Sequence, residues 1–179
     1  MLSRRARPED VDAIAHVRIA CWRATYAGII PDAFLDPQFI AHFVERRQRT
    51  LRDMESEEFT FVAEDTPDGS IVGYTVGGPA LAPLNADAGE LYELYVLPHV
   101  QKQGVGHQLL LRTACELAAQ RFLSMRLSVL VGNQNARRFY ERLGGTLIEE
   151  RSVKLAGVMV RDAVYGWKDI QRIPGISCA

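Results

Sequence analysis

The feature that most restricts the fold is a strand-like segment that runs through a proline into two glycines and an amphipathic helix. Leu91–Leu97 (LYELYVL) is typical of a strand, and Gly104 and Gly106 open a run whose apolar residues recur with a period of about 3.6. Met125–Val131 is again typical of a strand. This order of strand, helix and strand predicts a crossover that lays the two strands parallel in one sheet.

Apolar periodicity and turn residues predict the remaining elements. A first helix follows Pro8 and ends near Gly28, with Pro31 beyond it, and a later helix runs from Asn133 until Gly144 terminates it. The other predicted elements are a helix at Pro37–Asp53 and strands at Leu2–Ala6, Phe59–Glu64, Ile71–Gly77, Thr146–Leu155 and Val158–Trp167, with turns at residues 66–69 and 156–157. The order predicts an α/β (α+β) fold with a mostly antiparallel sheet of about six or seven strands and about four helices.

Length and composition place the chain among ordinary globular proteins. Its 179 residues, of which 47% are apolar and 24% charged, suit one domain spanning residues 1–179. The net charge of −1 argues against binding nucleic acid through a strong positive field. No apolar run approaches the roughly 18 residues of a membrane-spanning helix. We therefore expect a soluble cytoplasmic protein without a nucleic-acid or membrane partner.

The three cysteines are Cys21, Cys115 and Cys178. They fit neither a metal site nor a disulfide framework, because no CxxC pair occurs and their number is odd. Cys21 and Cys115 fall in helical apolar patterns, so we expect small buried thiols at both positions. Cys178 is expected to be exposed. All three are predicted to be reduced, and no metal is predicted.

The segment Gln101–Gln108 has the chemistry of an anion-binding cradle. First-turn N–H groups of a helix lack intrahelical partners and carry the positive end of the helix dipole. Gly104 and Gly106 have no Cβ, so a diphosphate can approach the backbone closely. A dinucleotide fingerprint would need a third glycine where Leu109 stands, and a P-loop would need Lys and Ser/Thr after its glycines. The remaining alternative is a glycine-rich helix start that packs tightly against the sheet.

Two motifs resemble the GNAT superfamily of N-acetyltransferases. Gln101–Gly106 (QxxGxG), after a strand that ends in Val-x-Pro, is similar to the acyl-CoA cradle of that family. Asn133–Gly144 (NxxAxxFYxxxG) is similar to a later helix of the family. The motifs cover residues 90–145, and the element order extends the resemblance over nearly the whole chain. One position departs, because Gly145 stands where the family often has a bulky residue, and a looser packing position is expected there.

The resemblance implies a single GNAT-like domain in which acetyl-CoA lies in a V-shaped splay between the two parallel strands. Acetyl-CoA would be the acyl donor, bound through strand backbone, the glycine loop and the later helix. The implied cofactor-binding residues are Leu94, Tyr95, Val96, Gln101, Lys102, Gln103, Gly104, Val105, Gly106, His107, Gln108, Asn133, Ala136 and Phe139. For Asn133, the alternative is a simple helix N-cap.

Direct transfer to an amine requires a proton for the departing thiolate and a route for the proton of the amine. The resemblance assigns the general acid to Tyr140, whose alternative is an aromatic core residue beside Phe139. Glu90 is the predicted base, with Glu93 and ordered water as alternatives. The two glutamates differ by three positions, so an undistorted strand points them to opposite faces and only one faces the site.

The acceptor implied by the resemblance is a primary amine of a small molecule or peptide. Candidate acceptor-side residues are Trp22, Tyr26 and Glu93, the turn at residues 28–31, the loop at residues 78–89, and the acids Asp32, Asp36 and Asp87. Aromatic residues at helical spacing also suit a core, and surface acids also suit no specific role. A homodimer is expected. Two rival functions stay open, namely a non-catalytic acyl-CoA-binding or regulatory module and a nucleotide-binding domain.

Overall fold

The structure is a computed structural model that describes residues 2–26, 37–65, 68–81, 88–155 and 158–178. In these ranges the chain forms four α-helices and seven β-strands. The helices are α1 (Val11–Tyr26), α2 (Pro37–Arg52), α3 (Val105–Ala119) and α4 (Gln134–Arg142). The strands are β1 (Leu2–Arg5), β2 (Phe59–Glu64), β3 (Ile71–Pro79), β4 (Ala88–Val96), β5 (Ser124–Leu130), β6 (Thr146–Leu155) and β7 (Val158–Trp167). Every helix and strand predicted from the sequence is present.

All seven strands belong to one mixed sheet in the order β1-β2-β3-β4-β5-β7-β6. β1 pairs antiparallel with β2, and β7 pairs antiparallel with both β5 and β6. β4 and β5 are parallel, with Ala88–Leu91 opposite Ser124–Leu127, as the predicted crossover requires. Both strands continue beyond these pairs, β4 to Val96 and β5 to Leu130. The predicted fold class is confirmed, and the V-shaped splay stays a prediction.

The chain forms two compact units, one of Met1–Val76 with Glu93–Leu110 and one of Gly77–Tyr92 with Leu111–Ala179. The core of the first unit includes Val11, Ile14, Val17, Phe59, Val62, Tyr74, Val76, Val105 and Leu109. The core of the second unit includes Leu91, Ala114, Leu117, Met125, Leu127, Tyr165, Trp167, Ile170 and Ile173. The expectation of one domain over residues 1–179 stays a prediction.

The prediction that all three cysteines are reduced is wrong for two of them, although Cys178 is exposed, as predicted. Cys115 on α3 and Cys178 form a disulfide across 63 residues of sequence, with their Cα atoms 5.2 Å apart. The buried side chains of Ile170 and Ile173 hold the segment before Cys178 against the core of the second unit. This packing places Cys178 next to Cys115 on α3. Residue spacing holds no information about that approach. Cys21 is buried and free, as predicted.

Several predicted features lie outside the described residues, namely Gly28 as the end of the first helix, Pro31 beyond it, residues 66–67 of the turn at 66–69, and the whole turn at 156–157. No helix in the described part of the chain has the length and apolar character needed to cross a membrane. Across those same residues, no group of three or more His, Cys, Asp or Glu side chains is arranged to hold a metal ion.

Candidate active site

The loop between β4 and α3 adopts a backbone conformation that favours close approach by an anion. A 3-10 turn at Pro98–Val100 follows β4, and α3 begins at Val105. Lys102 and Gly104 both have left-handed backbones, with φ of 64° and 86°. A left-handed backbone is uncommon for a residue other than glycine, so Lys102 marks a tight change of chain direction just before α3. The first-turn N–H groups of α3 have no i−4 partner within the helix.

Gly104 leaves open space at the start of α3. A Cβ built on this residue would meet no heavy atom within 4 Å, other than those of its chain neighbours. The next residue, Val105, is buried and fixes the helix start in the core of the first unit. The residues present therefore fit a diphosphate, because the loop is open on the side of the missing Cβ and the helix start supplies N–H donors.

Side chains of the loop brace it internally. Gln101 Nε2 donates to the carbonyl of Val96 at 2.9 Å, and Gln103 Nε2 donates to the carbonyl of His99 at 3.3 Å. The backbone N–H of Gln101 donates to Pro98, and that of Gln108 donates to Gly104 at 3.0 Å. The first and last residues of the predicted cradle, Gln101 and Gln108, are thus both held by hydrogen bonds within the protein.

Cys21 supports the strand that leads into this loop. Its thiol donates to the carbonyl of Val96 at 3.2 Å. Burial raises the pKa of the Cys21 thiol to about 11. The thiolate is therefore disfavoured, and this cysteine is unsuited to nucleophilic chemistry.

Glu93 on β4 is the centre of a buried ionic network in the first unit. Its Oε2 accepts from Arg18 Nη1 at 2.7 Å and from the Tyr74 hydroxyl at 2.5 Å, and its Oε1 accepts from Arg47 Nη2 at 3.1 Å. Burial raises the pKa of Glu93, but Arg18, Arg47 and the Tyr74 hydrogen bond hold it below its usual value. The pKa of Tyr74 is raised well above normal, because the hydroxyl is buried and lies against this carboxylate. Glu93 is therefore a bound carboxylate anion.

Arg18 on α1 and Arg47 on α2 each pair with Glu93 and so link the two helices to β4. The Arg18 guanidinium carbon lies 4.6 Å from the ring centroid of Trp22 and 4.5 Å from that of Phe43. Arg47 is 2% exposed, pairs with Glu58 and lies 3.3 Å from Thr60 Oγ1, while its buried Nε has no hydrogen-bond partner within the described residues. Sequence reasoning missed both arginines. The one available signal was Arg18, which interrupts the apolar stripe of α1.

Trp22, a predicted acceptor-side residue, makes a specific contact with β4. Its indole N–H donates to the Tyr95 hydroxyl at 2.8 Å, and its side chain is buried. Tyr26 lies in the last turn of α1, and its side chain falls outside the description. Asp32, Asp36 and Asp87 also lie outside the described residues, as do the turn at residues 28–31 and residues 82–87 of the loop at 78–89.

Glu90, the predicted base, lies in the second unit opposite Arg126 on β5. Arg126 donates from Nε at 3.1 Å and from Nη2 at 2.9 Å, both to Glu90 Oε2. The backbone N–H of Leu81 donates to the same oxygen at 3.0 Å. A role as base would therefore have to use Oε1. Sequence reasoning missed Arg126, because it becomes a neighbour of Glu90 only through the register of the two strands.

Asn133 caps α4 in the second unit. Its Oδ1 accepts the backbone N–H of Ala136 at 3.1 Å, which is the N-cap interaction expected from the sequence. Ala136 and Phe139 are half-buried on the same helix. The predicted contacts of these three residues with the cofactor stay predictions.

Tyr140 is enclosed by aromatic rings of the second unit. It is 7% exposed, and its ring centroid lies 5.2 Å from that of Phe139, 6.3 Å from that of Tyr165 and 6.4 Å from that of Trp167. The Tyr165 hydroxyl donates to Glu141 Oε1 at 2.5 Å and accepts from Arg137 Nε at 3.0 Å. These contacts fix the Tyr140 ring, and the acid role stays a prediction.

Gly145, which stands where the family often has a bulky residue, is explained by the packing around it. A Cβ there would lie 2.8 Å from the Trp167 ring and 3.0 Å from the Tyr140 carbonyl. Trp167 also donates its indole N–H to the Leu143 carbonyl at 2.7 Å. The tryptophan thus fills the space that a bulky residue at 145 would take, and the packing is tight rather than loose as expected.

The seven-stranded sheet, the parallel pair β4 and β5 joined through α3, and the open glycine loop before α3 together define the architecture of this chain. The profile of the acetyltransferase (GNAT) family matches residues 22–145. The chain is 32% identical over 171 residues to the uncharacterized N-acetyltransferase YuaI of Bacillus subtilis (strain 168), and the match covers 95% of this chain and 94% of that protein. This chain belongs to the GNAT acetyltransferase family, and it is an acyltransferase.

Two solved structures share the fold. A GNAT-family acetyltransferase from Desulfovibrio desulfuricans is 20% identical, with a TM-score of 0.71 over 94% of this chain and 98% of that one. The acetyltransferase yncA from Salmonella typhimurium, solved with its cofactor acetyl-CoA, is 22% identical, with a TM-score of 0.69 over 93% of this chain and 92% of that one. Both likenesses bear on the fold alone.

Proposed function

We propose that the chain transfers an acetyl group from acetyl-CoA directly to a primary amine of a small molecule or peptide. The observation that carries the proposal is the loop before α3, where Lys102 and Gly104 are left-handed and the space beside Gly104 is open. Membership of the GNAT family supports the donor, as does acetyl-CoA in the relative from Salmonella typhimurium. In this proposal the protein acts in the cytoplasm as a homodimer.

The donor would be held mainly by backbone. The N–H groups of Val105, Gly106 and His107 in the first turn of α3 would receive the pyrophosphate, since this turn carries the positive end of the helix dipole. Lys102 is exposed and would add a positive charge. Backbone of Leu94–Val96 would contact the pantetheine arm and thioester, although the Val96 carbonyl already accepts two side-chain donors. Asn133, Ala136 and Phe139 would border the cofactor from α4.

The reaction forms one C–N bond and breaks one C–S bond. The amine nitrogen attacks the thioester carbonyl carbon, and the electron pair of the C–S bond leaves on sulfur. Glu90 would take a proton from the amine nitrogen, and the Tyr140 hydroxyl would give a proton to the departing sulfur. Protons then balance, because the enzyme gains one at Glu90 and loses one at Tyr140 before exchange with water.

The hydrogen bonds of the two glutamates favour Glu90 over Glu93 as the base. Both oxygens of Glu93 are occupied by guanidinium groups, and its pKa is lowered, so it is a poor proton acceptor at neutral pH. The three hydrogen bonds described for Glu90 fall on Oε2. Ordered water is the alternative route for the proton, and the two routes differ in the pH dependence of turnover.

The test is thiol release from acetyl-CoA across a diverse library of primary amines, together with calorimetric titration of CoA. Turnover with at least one amine and tight CoA binding are expected. CoA binding without thiol release from any amine would favour the non-catalytic module instead. ATP binding that is tighter than acetyl-CoA binding would favour a nucleotide-binding domain.

A further inference from the structure

We propose that the Cys115–Cys178 disulfide is a redox switch, and that its reduction lowers turnover by loosening the support of Tyr140. This inference rests on the proposed function for its effect on turnover, but its effect on structure can be measured without any turnover. The disulfide joins α3 to the segment that follows β7. We call residues 168–178 the clasp segment.

The clasp segment is held in two different ways. Its first part packs into the core of the second unit, because Ile170 and Ile173 are buried and the backbone N–H of Ile170 donates to the Leu123 carbonyl at 3.0 Å. Its second part, residues 174–178, lies at the surface, and the side chain of Ile176 is half-buried there. The disulfide attaches this second part covalently to α3. Reduction should therefore loosen the second part, while the buried isoleucines keep the first part in place.

The second part of the clasp segment begins beside the end of α4. A Cβ built on Gly144, just after this helix, would lie 3.8 Å from Pro174 Cδ and 3.8 Å from Trp167 Nε1. The Trp167 indole N–H donates to the Leu143 carbonyl at 2.7 Å, and its ring lies edge-on to that of Tyr140, with centroids 6.4 Å apart. Pro174 thus lies beside the helix end that carries Tyr140 and beside the tryptophan that encloses the Tyr140 ring.

The disulfide is accessible to a thiol reductant. Cys178 is exposed and Cys115 is half-buried. Exposed disulfides are reduced more readily than buried structural ones, and a disulfide in a cytoplasmic protein is usually transient or redox-sensing. Cys21 is buried and its thiol is hydrogen-bonded, so it is shielded from thiol exchange. In the cytoplasmic location proposed above, the Cys115–Cys178 pair would therefore change state with the thiol balance of the cell.

Reduction is a two-electron exchange with a dithiol. A thiolate of the dithiol attacks Cys178 Sγ, the exposed sulfur, and the electron pair of the S–S bond leaves on Cys115 Sγ, which takes up a proton. The second thiol of the dithiol then displaces Cys178, which takes up the other proton, and the dithiol closes to a cyclic disulfide. The protein gains two electrons and two protons, and the dithiol loses them.

Hydrogen exchange measured by mass spectrometry tests the structural part. The oxidised protein is compared with protein reduced by dithiothreitol, and thiol titration confirms the two states. Reduction should raise amide exchange at least about tenfold at residues 174–178 and about threefold at residues 139–145, which include the end of α4. Exchange in α2, which lies in the first unit, should be unchanged. Unchanged exchange at residues 139–145 would overturn the inference, even if residues 174–178 are released.

Turnover is compared in the same two states by the mass of the acetylated amine, because the reductant itself carries thiols. Reduction should lower kcat at least about fivefold, because a small displacement of a catalytic group is costly. Cys178→Ser and Cys115→Ser should show the lower kcat with and without dithiothreitol. Ser177→Ala, an exposed substitution in the clasp segment, is the matched control and should keep the wild-type response. A response to dithiothreitol that persists in Cys178→Ser would overturn the inference.

The two measurements separate this inference from the proposed function. If no amine is acetylated in either state but reduction raises exchange at residues 139–145, the proposed function fails and the structural switch stands. If amines are acetylated at the same rate in both states, the inference fails and the proposed function stands.

Discussion

Glu90 and Arg126 lie opposite each other on the parallel strands β4 and β5, and Arg126 Nη2 is 2.9 Å from Glu90 Oε2. The pair is nearly buried, with 13% of the Glu90 side chain and 11% of the Arg126 side chain exposed. Because this contact and the N–H of Leu81 occupy Oε2, the arginine fixes the orientation of the carboxylate. The proposed base is thus held in place by the strand register.

Glu90→Gln tests that role. The amide keeps the shape and can keep a hydrogen bond to Leu81, but it cannot take a proton at neutral pH. We expect kcat/KM to fall about 100-fold, because the amine then has no carboxylate to take its proton. The measurement is steady-state thiol release between pH 5 and 9. A variant with wild-type turnover and an unchanged pH profile would instead assign the proton to ordered water.

Tyr140→Phe tests the general acid. Only a hydroxyl is lost, so the aromatic packing with Phe139 and Trp167 should persist. We expect kcat to fall by about 100-fold while the Kd of acetyl-CoA changes less than about threefold. Tyr165→Phe removes the neighbouring hydroxyl that Glu141 and Arg137 hold, and it should keep kcat within about threefold. Full turnover of Tyr140→Phe across pH would exclude the acid role.

Gly104→Glu tests the anion cradle. The new carboxylate would enter the open space beside the helix start and repel a diphosphate, so the Kd of CoA should rise at least about 100-fold. Gly69→Glu is the matched control, because Gly69 also has a left-handed φ of 70° and open space beside it. It should carry similar backbone strain and keep CoA affinity. Equal affinities in the two variants, measured by calorimetry, would contradict the cradle.

Glu93→Gln tests the buried network through stability. The pKa of Glu93 in the folded chain lies below its ordinary value of 4.5, since Arg18 and Arg47 outweigh the effect of burial. A lowered pKa means that its stabilisation is present above about pH 4.5 and is lost as the pH falls through the folded-state value. At pH 7 the free energy of unfolding of the variant should be about 3–5 kcal/mol lower than that of wild type. In the acid range, the free energy of unfolding of the variant should depend less on pH.

Urea unfolding at a series of pH values measures this difference. Glu45→Gln is the control, because Glu45 pairs with Arg49 on the surface of α2 and is 67% exposed. Its effect should stay within about 0.5 kcal/mol. If the free energies of unfolding of wild type and Glu93→Gln change equally with pH below about pH 4.5, then Glu93 is not stabilised as an anion.

The Cys115–Cys178 disulfide predicts a specific count of thiols. Protein unfolded in urea without reductant should expose one reactive thiol, that of Cys21, and three after reduction. Cys178→Ser should lower the free energy of unfolding of the oxidised protein by about 2–4 kcal/mol and make it insensitive to reductant. Three thiols in the unreduced protein would contradict the bond.

The order of elements and the glycine loop before α3 could be predicted from local sequence. The strand segment Leu91–Leu97, the glycines after it and the apolar period of α3 are short-range patterns, and each reflects the conformational preferences of its own residues. Asn133 likewise caps α4 by a contact over three residues. Family motifs added the assignment to acetyl transfer, because they combine residue types with spacing.

The sequence by itself thus determined the α/β fold, the parallel pair and the helix start that suits a diphosphate. Only the tertiary structure decided which charges meet. Arg18, Arg47 and Glu93 are separated by dozens of residues, and so are Glu90 and Arg126, yet each set forms close ion pairs. Cys115 and Cys178 joined in the same way, against the prediction. Such contacts follow from strand register and helix packing, which depend on the whole core. Short-range residue spacing therefore cannot predict them.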